Sequence, residues 1–223
     1  MEKQYLAEQE IRKKEEQADD LPRVKLRTSE GDVVLELYIN QAPSTVAHFI
    51  GLVEKGFYDG LDFYQVIDDL LILTGDPSGL GDGNCGDFLI DEHDRADARK
   101  ALRGSLVMAK VPTSPKGADF FPNSASSQFA ILMVPIVGIE KQQTVFGRVI
   151  EGMNNLAALR RVDPSKEKKK GEIVLPSDHI IEATVIRRPK TFPQPNYVKL
   201  GTRTAASRDA AKIERSGAAE LTE

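Results

Sequence analysis

Apolar and polar positions alternate along much of the chain, and in a few places the alternation gives way to a helical period. "VKLRTSEGDVVLELY" holds two β-rich runs, Val24–Thr28 and Asp32–Tyr38, joined by Ser29-Glu30-Gly31, which predicts a hairpin. In "APSTVAHFIGLVEKGFYDG" the residues Val46, Phe49, Ile50 and Val53 fall on one face of a helix. Pro43 suits its first turn and Gly56 its C-terminal cap. "LDFYQVIDDLLILTGD" reads as one long buried strand, Phe63–Thr74, that runs into a glycine turn. Beyond the loop "GDPSGLGDGNCGD", strands are predicted at Phe88–Asp91 and in "GSLVMAK", "QFAILM", "QTVFGRVI" and "HIIEATVIRR". "MNNLAALRRV" is a second short helix. Many strands, two helices and no regular βαβ alternation predict a mainly β protein, a closed antiparallel barrel capped by helices.

The ends have a different texture. Residues 1–22 are charged throughout, with Tyr5, Leu6 and Ile11 scattered among them, and predict a solvated helix or a disordered arm. Residues 190–223 carry few core-forming side chains and predict a wrapping or disordered tail. The remainder, 23–189, is the expected domain. With 223 residues, 40% apolar and 29% charged, the chain suits one domain with polar extensions.

The net charge of −4, from 30 basic and 34 acidic residues interspersed, gives no global pull toward nucleic acid or an anionic membrane. The run "KEKKKG" has no interleaved aromatic residues and reads as a solvated turn. No apolar run approaches the ~20 residues of a membrane span, and the start does not read as a signal peptide, so a soluble protein of unknown compartment is expected. Cys85 is the single cysteine, which excludes an intrachain disulfide and a cysteine-based metal site. His48, His93 and His179 lack ligand spacing, "DGNCGD" fails the calcium-loop pattern, and "DEHD" reads as a solvated turn. The glycine loop lacks the Lys-Ser/Thr of a phosphate-binding loop. His48 is expected to be a packed or capping histidine.

Five segments, "GDVVLELYINQAPSTVAHFIGLVEKGFYDGLDFYQVI", "TGDPSGLGDG", "RGSLVMA", "SSQFAI" and "QQTVFGRVIEGM", resemble in order and spacing the cyclophilin family of peptidyl-prolyl isomerases. The resemblance covers roughly Val24–Arg188. It implies an eight-stranded antiparallel barrel with a helix over each end, and cis/trans isomerisation of the bond before proline in peptides or unfolded chains. The barrier to be lowered is ~18–20 kcal/mol of amide resonance. No nucleophile, metal or cofactor is needed. The task needs an apolar pocket for the proline ring and a donor aimed at the proline nitrogen, which becomes a better acceptor as the amide twists.

In the family an arginine supplies that donor. Here Gln65 stands at the matching position, preceded by Tyr64 in place of a histidine. Leu70, Leu71 and Leu73 replace a phenylalanine, a methionine and a glutamine. Ala130 replaces a pocket phenylalanine, Gly138 a tryptophan, Ile139 a leucine and Gln143 a histidine, while Gln128 and Phe129 keep the family pattern. By this carry-over Gln65 and Gln128 are the catalytic candidates. Tyr64, Leu70, Leu71, Leu73, Phe129, Ala130, Ile139 and Gln143 are the substrate-binding ones, although the pattern of "QFAILM" also reads Phe129 as core. Barrel-building residues match the family better than site residues do. Two functions follow from this: a weak isomerase working through Gln65, or a non-catalytic module that binds proline peptides or protein partners in the same groove, with the terminal arms as further contact surfaces. The loop "KVPTSPKGADFFPNSASS" is longer than its family counterpart, and Phe120 or Phe121 is expected either beside the groove or pinning the loop to the barrel.

Overall fold

The computed structural model describes residues 2–114, 119–164 and 176–199. The lysine-rich turn and the end of the C-terminal tail lie outside the described residues. The elements are α1 (Glu2–Ala18), β1 (Arg23–Thr28), β2 (Gly31–Leu37), α2 (Pro43–Glu54), β3 (Gln65–Ile67), β4 (Leu71–Thr74), β5 (Ser105–Met108), β6 (Phe129–Leu132), β7 (Val145–Glu151), α3 (Met153–Ala158) and β8 (Ile180–Arg187). A 3-10 turn at Ile139–Lys141 precedes β7.

All eight strands belong to one antiparallel sheet in the order β3-β4-β6-β5-β7-β2-β1-β8. The sheet curls until its last strand meets the segment before its first. Gly60 N–H donates to Ile180 O at 2.7 Å, Ile180 N–H to Leu61 O at 2.9 Å and Phe63 N–H to Asp178 O at 2.9 Å. The predicted barrel is present, and its closure gives the edge backbone groups partners.

Side chains alternate across the sheet, and β4, β5, β6 and β7 each feed two apolar clusters. Ile72, Phe129 and Ile131 point into the interior with Phe49, Tyr58 and Phe146. Their neighbours Leu71, Leu73, Ala130 and Leu132 point outward into a second cluster with Val107 and Tyr38. Helix α2 places Val46, Phe49, Ile50 and Val53 in the interior cluster, and α3 adds Leu156. Pro43 opens α2, and Gly56, at φ +68°, follows its C-cap, as predicted.

Three expectations change. Phe63–Thr74 is a hairpin rather than one strand, with Ile67 opposite Leu71. The adjacent carboxylates Asp68 and Asp69 favour the turn, Asp69 tolerates φ +51°, and Leu70 N–H closes on Ile67 O at 3.2 Å. Phe88–Asp91 forms no named strand, only a bridge between Leu89 and Tyr197. "DEHD" is not merely solvated. Glu92 accepts from Ser44 N–H (3.1 Å), Thr45 N–H (2.9 Å) and the Thr45 hydroxyl (2.7 Å), so it caps the N-terminus of α2, where Ala42 has no side-chain acceptor to offer. Asp91 accepts from Lys110 Nζ at 2.6 Å and from Asn123 N–H at 2.8 Å.

Both terminal segments dock. The segment expected as a solvated helix or a disordered arm is the helix α1, largely exposed but docked through its acidic side chains: Glu8, buried, accepts from Arg99 Nε at 3.1 Å, and Glu15 also pairs with Arg99. The Arg99 guanidinium lies 3.8 Å from the centroid of the Tyr38 ring. Burial pushes the Tyr38 hydroxyl up to about 12. At the other end, Ile90 N–H donates to Asn196 O (3.0 Å) and Val198 N–H to Phe88 O (2.9 Å), so residues 196–198 form a strap beside α2. His48 is packed beneath it. Its Nε2–H donates to Ser126 O at 3.1 Å, which leaves Nδ1 to accept from the Tyr197 hydroxyl at 3.0 Å. Among the described residues no helix is long and apolar enough to cross a membrane.

Candidate peptide-binding face

The outer cluster is organised by strand register. Gln65 stands opposite Leu73, Leu73 opposite Ala130, Ala130 opposite Val107 and Val107 opposite Val145. This makes one cross-strand row over five strands, apolar except at its β3 end. Ile136 and Ile139, from the loop before β7, pack on this cluster together with Leu71. Leu70 sits in the β3–β4 turn, 37% exposed. Thus Leu71, Leu73, Ala130 and Ile139 share the face that Gln65 borders. Among the described residues the Gln65 carboxamide is half-buried and has no hydrogen-bond partner, so its donors are free.

Two candidates stand elsewhere. Phe129 is fully buried in the interior cluster, edge-on to Phe49, Tyr58 and Phe146, so it supports the face from inside. The period-two alternation that sends Ala130 outward sends Phe129 inward. Gln143 is buried at the base of the covering loop, its N–H on Ile139 O at 2.9 Å.

Gln128 is engaged rather than free. Its Oε1 accepts from the Tyr64 hydroxyl at 2.6 Å, and its Nε2 donates to Gly83 O at 2.6 Å and Gly81 O at 3.1 Å. Both amide hydrogens are used, so in this arrangement Gln128 is a strut that fixes the glycine loop beside the row. Burial raises the pKa of the Tyr64 phenol, and the charge of Asp76 raises it further. Tyr64 therefore stays a neutral donor at ordinary pH.

Asp76 is the hub of that loop. It accepts from Ser78 N–H at 2.7 Å and Ser78 Oγ at 2.8 Å, and from the N–H groups of Gly81 and Gly83. Burial pushes its carboxyl up, but these donors outweigh burial and hold it below the ordinary range, so it is ionised. A Cβ on Gly83 would fall 2.1 Å from Asp76 Oδ1, so only glycine lets the backbone approach this closely. Sequence reasoning passed over Asp76 and Val107. Aspartate two residues before serine in "GDPS" is a turn signal that pointed to the first. Nothing local points to Val107, because its place in the row is set by strand register.

The insertion "KVPTSPKGADFFPNSASS" begins and ends as a small ribbon. Phe121 N–H donates to Val111 O and Thr113 N–H to Asp119 O, each at 2.9 Å. Its base joins the site, since Ala109 N–H donates to Gln128 O at 3.0 Å.

A barrel with this strand order, a closing segment before β3 and an outer face crossed by β3, β4, β6 and β5 matches a known family over most of its length. The family described as cyclophilin type peptidyl-prolyl cis-trans isomerase/CLD matches residues 23–185. The chain belongs to the cyclophilin family. Among relatives of this cyclophilin, peptidyl-prolyl cis-trans isomerase-like 1 of Neurospora crassa is 33% identical over 74% of this chain and 94% of its own. Peptidyl-prolyl cis-trans isomerase ppi1 of Schizosaccharomyces pombe is 35% identical over 60% of this chain and 82% of its own. A crystal structure of a Cryptosporidium parvum cyclophilin type peptidyl-prolyl cis-trans isomerase superposes with a TM-score of 0.61 at 26% identity, over 76% of this chain and 99% of that one. The same protein crystallised in the presence of the dipeptide Ala-Pro gives a TM-score of 0.60 at 25% identity, over 74% of this chain and 99% of that one. Helix α1 and the C-terminal strap of this cyclophilin fall outside the family match.

Proposed function

We propose that this cyclophilin binds proline-containing segments of polypeptides on the outer face bordered by Gln65 and isomerises them slowly or not at all. The observation that carries the reading is the row Gln65–Leu73–Ala130–Val107. Its apolar part suits a pyrrolidine ring, but no cation stands at its end. A charged donor makes a hydrogen bond roughly twice as strong as a neutral one. The difference, about 1.4–2 kcal/mol at the twisted amide nitrogen, corresponds to roughly ten- to thirtyfold in rate. Ala130 offers no aromatic wall, which weakens ring burial as well. The free carboxamide of Gln65 supports the second reading, a slow isomerase, because it still presents a donor to the face. A protease-coupled or NMR-exchange assay on short X-Pro peptides separates the two. Binding without measurable exchange supports the module, and exchange faster than about a tenth of an arginine-bearing relative's rate refutes the proposal.

A further inference from the structure

The polar wall of the proposed face carries fixed negative charge. Asp76 is buried and held ionised, and the phenol it acts on is the one that bonds Gln128. Asp82 joins it through a shared hydroxyl, because Ser78 Oγ lies 2.8 Å from both Asp76 Oδ2 and Asp82 Oδ1. Asp82 is exposed and lies between Gly81 and Gly83, the two residues whose carbonyls receive the Gln128 amide. Among the described residues neither carboxylate is paired with a cation. Asp69 is exposed beside Leu70, and Asp119 is exposed on the ribbon whose base meets Gln128. The nearby basic groups are mostly committed elsewhere: Lys110 to Asp91 at 2.6 Å, Arg161 to Asp68 at 2.8 Å and Lys100 to Glu140 at 3.3 Å. The exceptions are Lys141, exposed on the covering loop, and Arg103, exposed and lining a cleft with Asp69. At the one position of the row where a cation could offset this wall stands the neutral Gln65.

We infer that the face selects proline segments flanked by arginine or lysine, with Asp82 and Asp76 as the specificity-determining carboxylates. The inference rests on the proposed binding face and adds its substrate class. A bound peptide lying along the row passes the glycine loop, so a basic residue near its proline comes under both charges. At about 7 Å in a water-like dielectric each carboxylate favours such a residue about threefold, and the pair about tenfold. The preference is long-ranged and therefore screened, since the Debye length falls from ~30 Å at 0.01 M to ~3 Å at 1 M salt. Asp76 lies inside the loop and cannot be replaced without disturbing it. Asp82 is exposed and can be.

The test uses the full chain and three peptides of equal length around one Ala-Pro core, flanked by Arg, Ala or Glu, with dissociation constants measured by calorimetry at 0.02 M and 1 M salt. The Arg peptide should bind about tenfold more tightly than the Ala peptide at low salt and within about twofold at high salt, with the Glu peptide weakest. Asp82→Asn should cut the Arg preference about threefold, and Asp82→Lys should remove most of it. Equal affinity for all three peptides at low salt overturns the inference and leaves the binding face standing, as does a preference that Asp82→Lys does not change. Failure of all three to bind overturns the binding face, and the inference with it.

Discussion

Replacing Gln128 by alanine separates a strut from a substrate contact. The side chain makes three hydrogen bonds, to the Tyr64 hydroxyl and to the carbonyls of Gly81 and Gly83. Tyr64 is only 8% exposed. Losing its acceptor strands a buried hydroxyl, which costs about 1–3 kcal/mol, and the two partly exposed amide–carbonyl bonds add about 0.5 kcal/mol each. Gln128→Ala should therefore destabilise the fold by about 2–4 kcal/mol. At roughly 2–4 °C per kcal/mol for a chain of this size, the melting temperature should drop by about 5–15 °C. Tyr64→Phe in the same background removes the stranded hydroxyl and should restore about 1–2 kcal/mol. A double-mutant cycle by urea denaturation then reads the Tyr64–Gln128 coupling directly. A Gln128→Ala protein within ~0.5 kcal/mol of the parent, with no coupling to Tyr64 and with peptide binding lost, would refute the strut and return Gln128 to the substrate.

Three further outcomes are expected. Gln65→Arg should raise exchange of X-Pro peptides about tenfold, while an unchanged rate would show that the aliphatic walls, rather than the absent charge, limit the reaction. Glu92→Ala removes the acceptor for two N–H groups and a hydroxyl at the start of α2, and should lower stability by about 1–2 kcal/mol in urea titration, with Glu92→Asp recovering part of it. Burial lowers the His48 pKa below its ordinary 6.5, against a raising effect from the Ser126 carbonyl, so the unfolded chain takes up this proton first as pH falls. The stability from neutral His48 is full above pH 6.5 and declines as pH drops from there toward the folded-state value. His48→Gln should flatten that part of the pH profile, and an unaltered slope between pH 7.5 and 5.5 would contradict it.

Much of the architecture was legible locally. Period-two alternation in "VKLRTSEGDVVLELY" and "QFAILM", a helical stripe from Val46 to Val53 and the Pro43 and Gly56 signals each report what one segment must bury, and burial of an amphipathic segment is nearly independent of its partner. The Gln65 substitution was equally visible, because it rests on residue identity at a matched motif. Where local signals were weak the reading failed. Asp68-Asp69 is a turn only because two short strands can pair around it, and in isolation the apolar flanks outweighed two acids. Gln128 reads in the chain as a catalytic candidate, and Glu92 and Glu8 look there like ordinary surface polar residues. Their roles as strut, helix cap and buried anchor for Arg99 come from partners 45 or more residues away in sequence. A hydrogen bond needs a specific donor within about 3 Å, and a sequence pattern carries no information about who that donor is. The same holds for the row itself. Gln65, Leu73, Ala130 and Val107 become neighbours through the registers of three separate strand pairings. Each register is chosen by how the whole barrel closes, and so the face exists only once the sheet has curled.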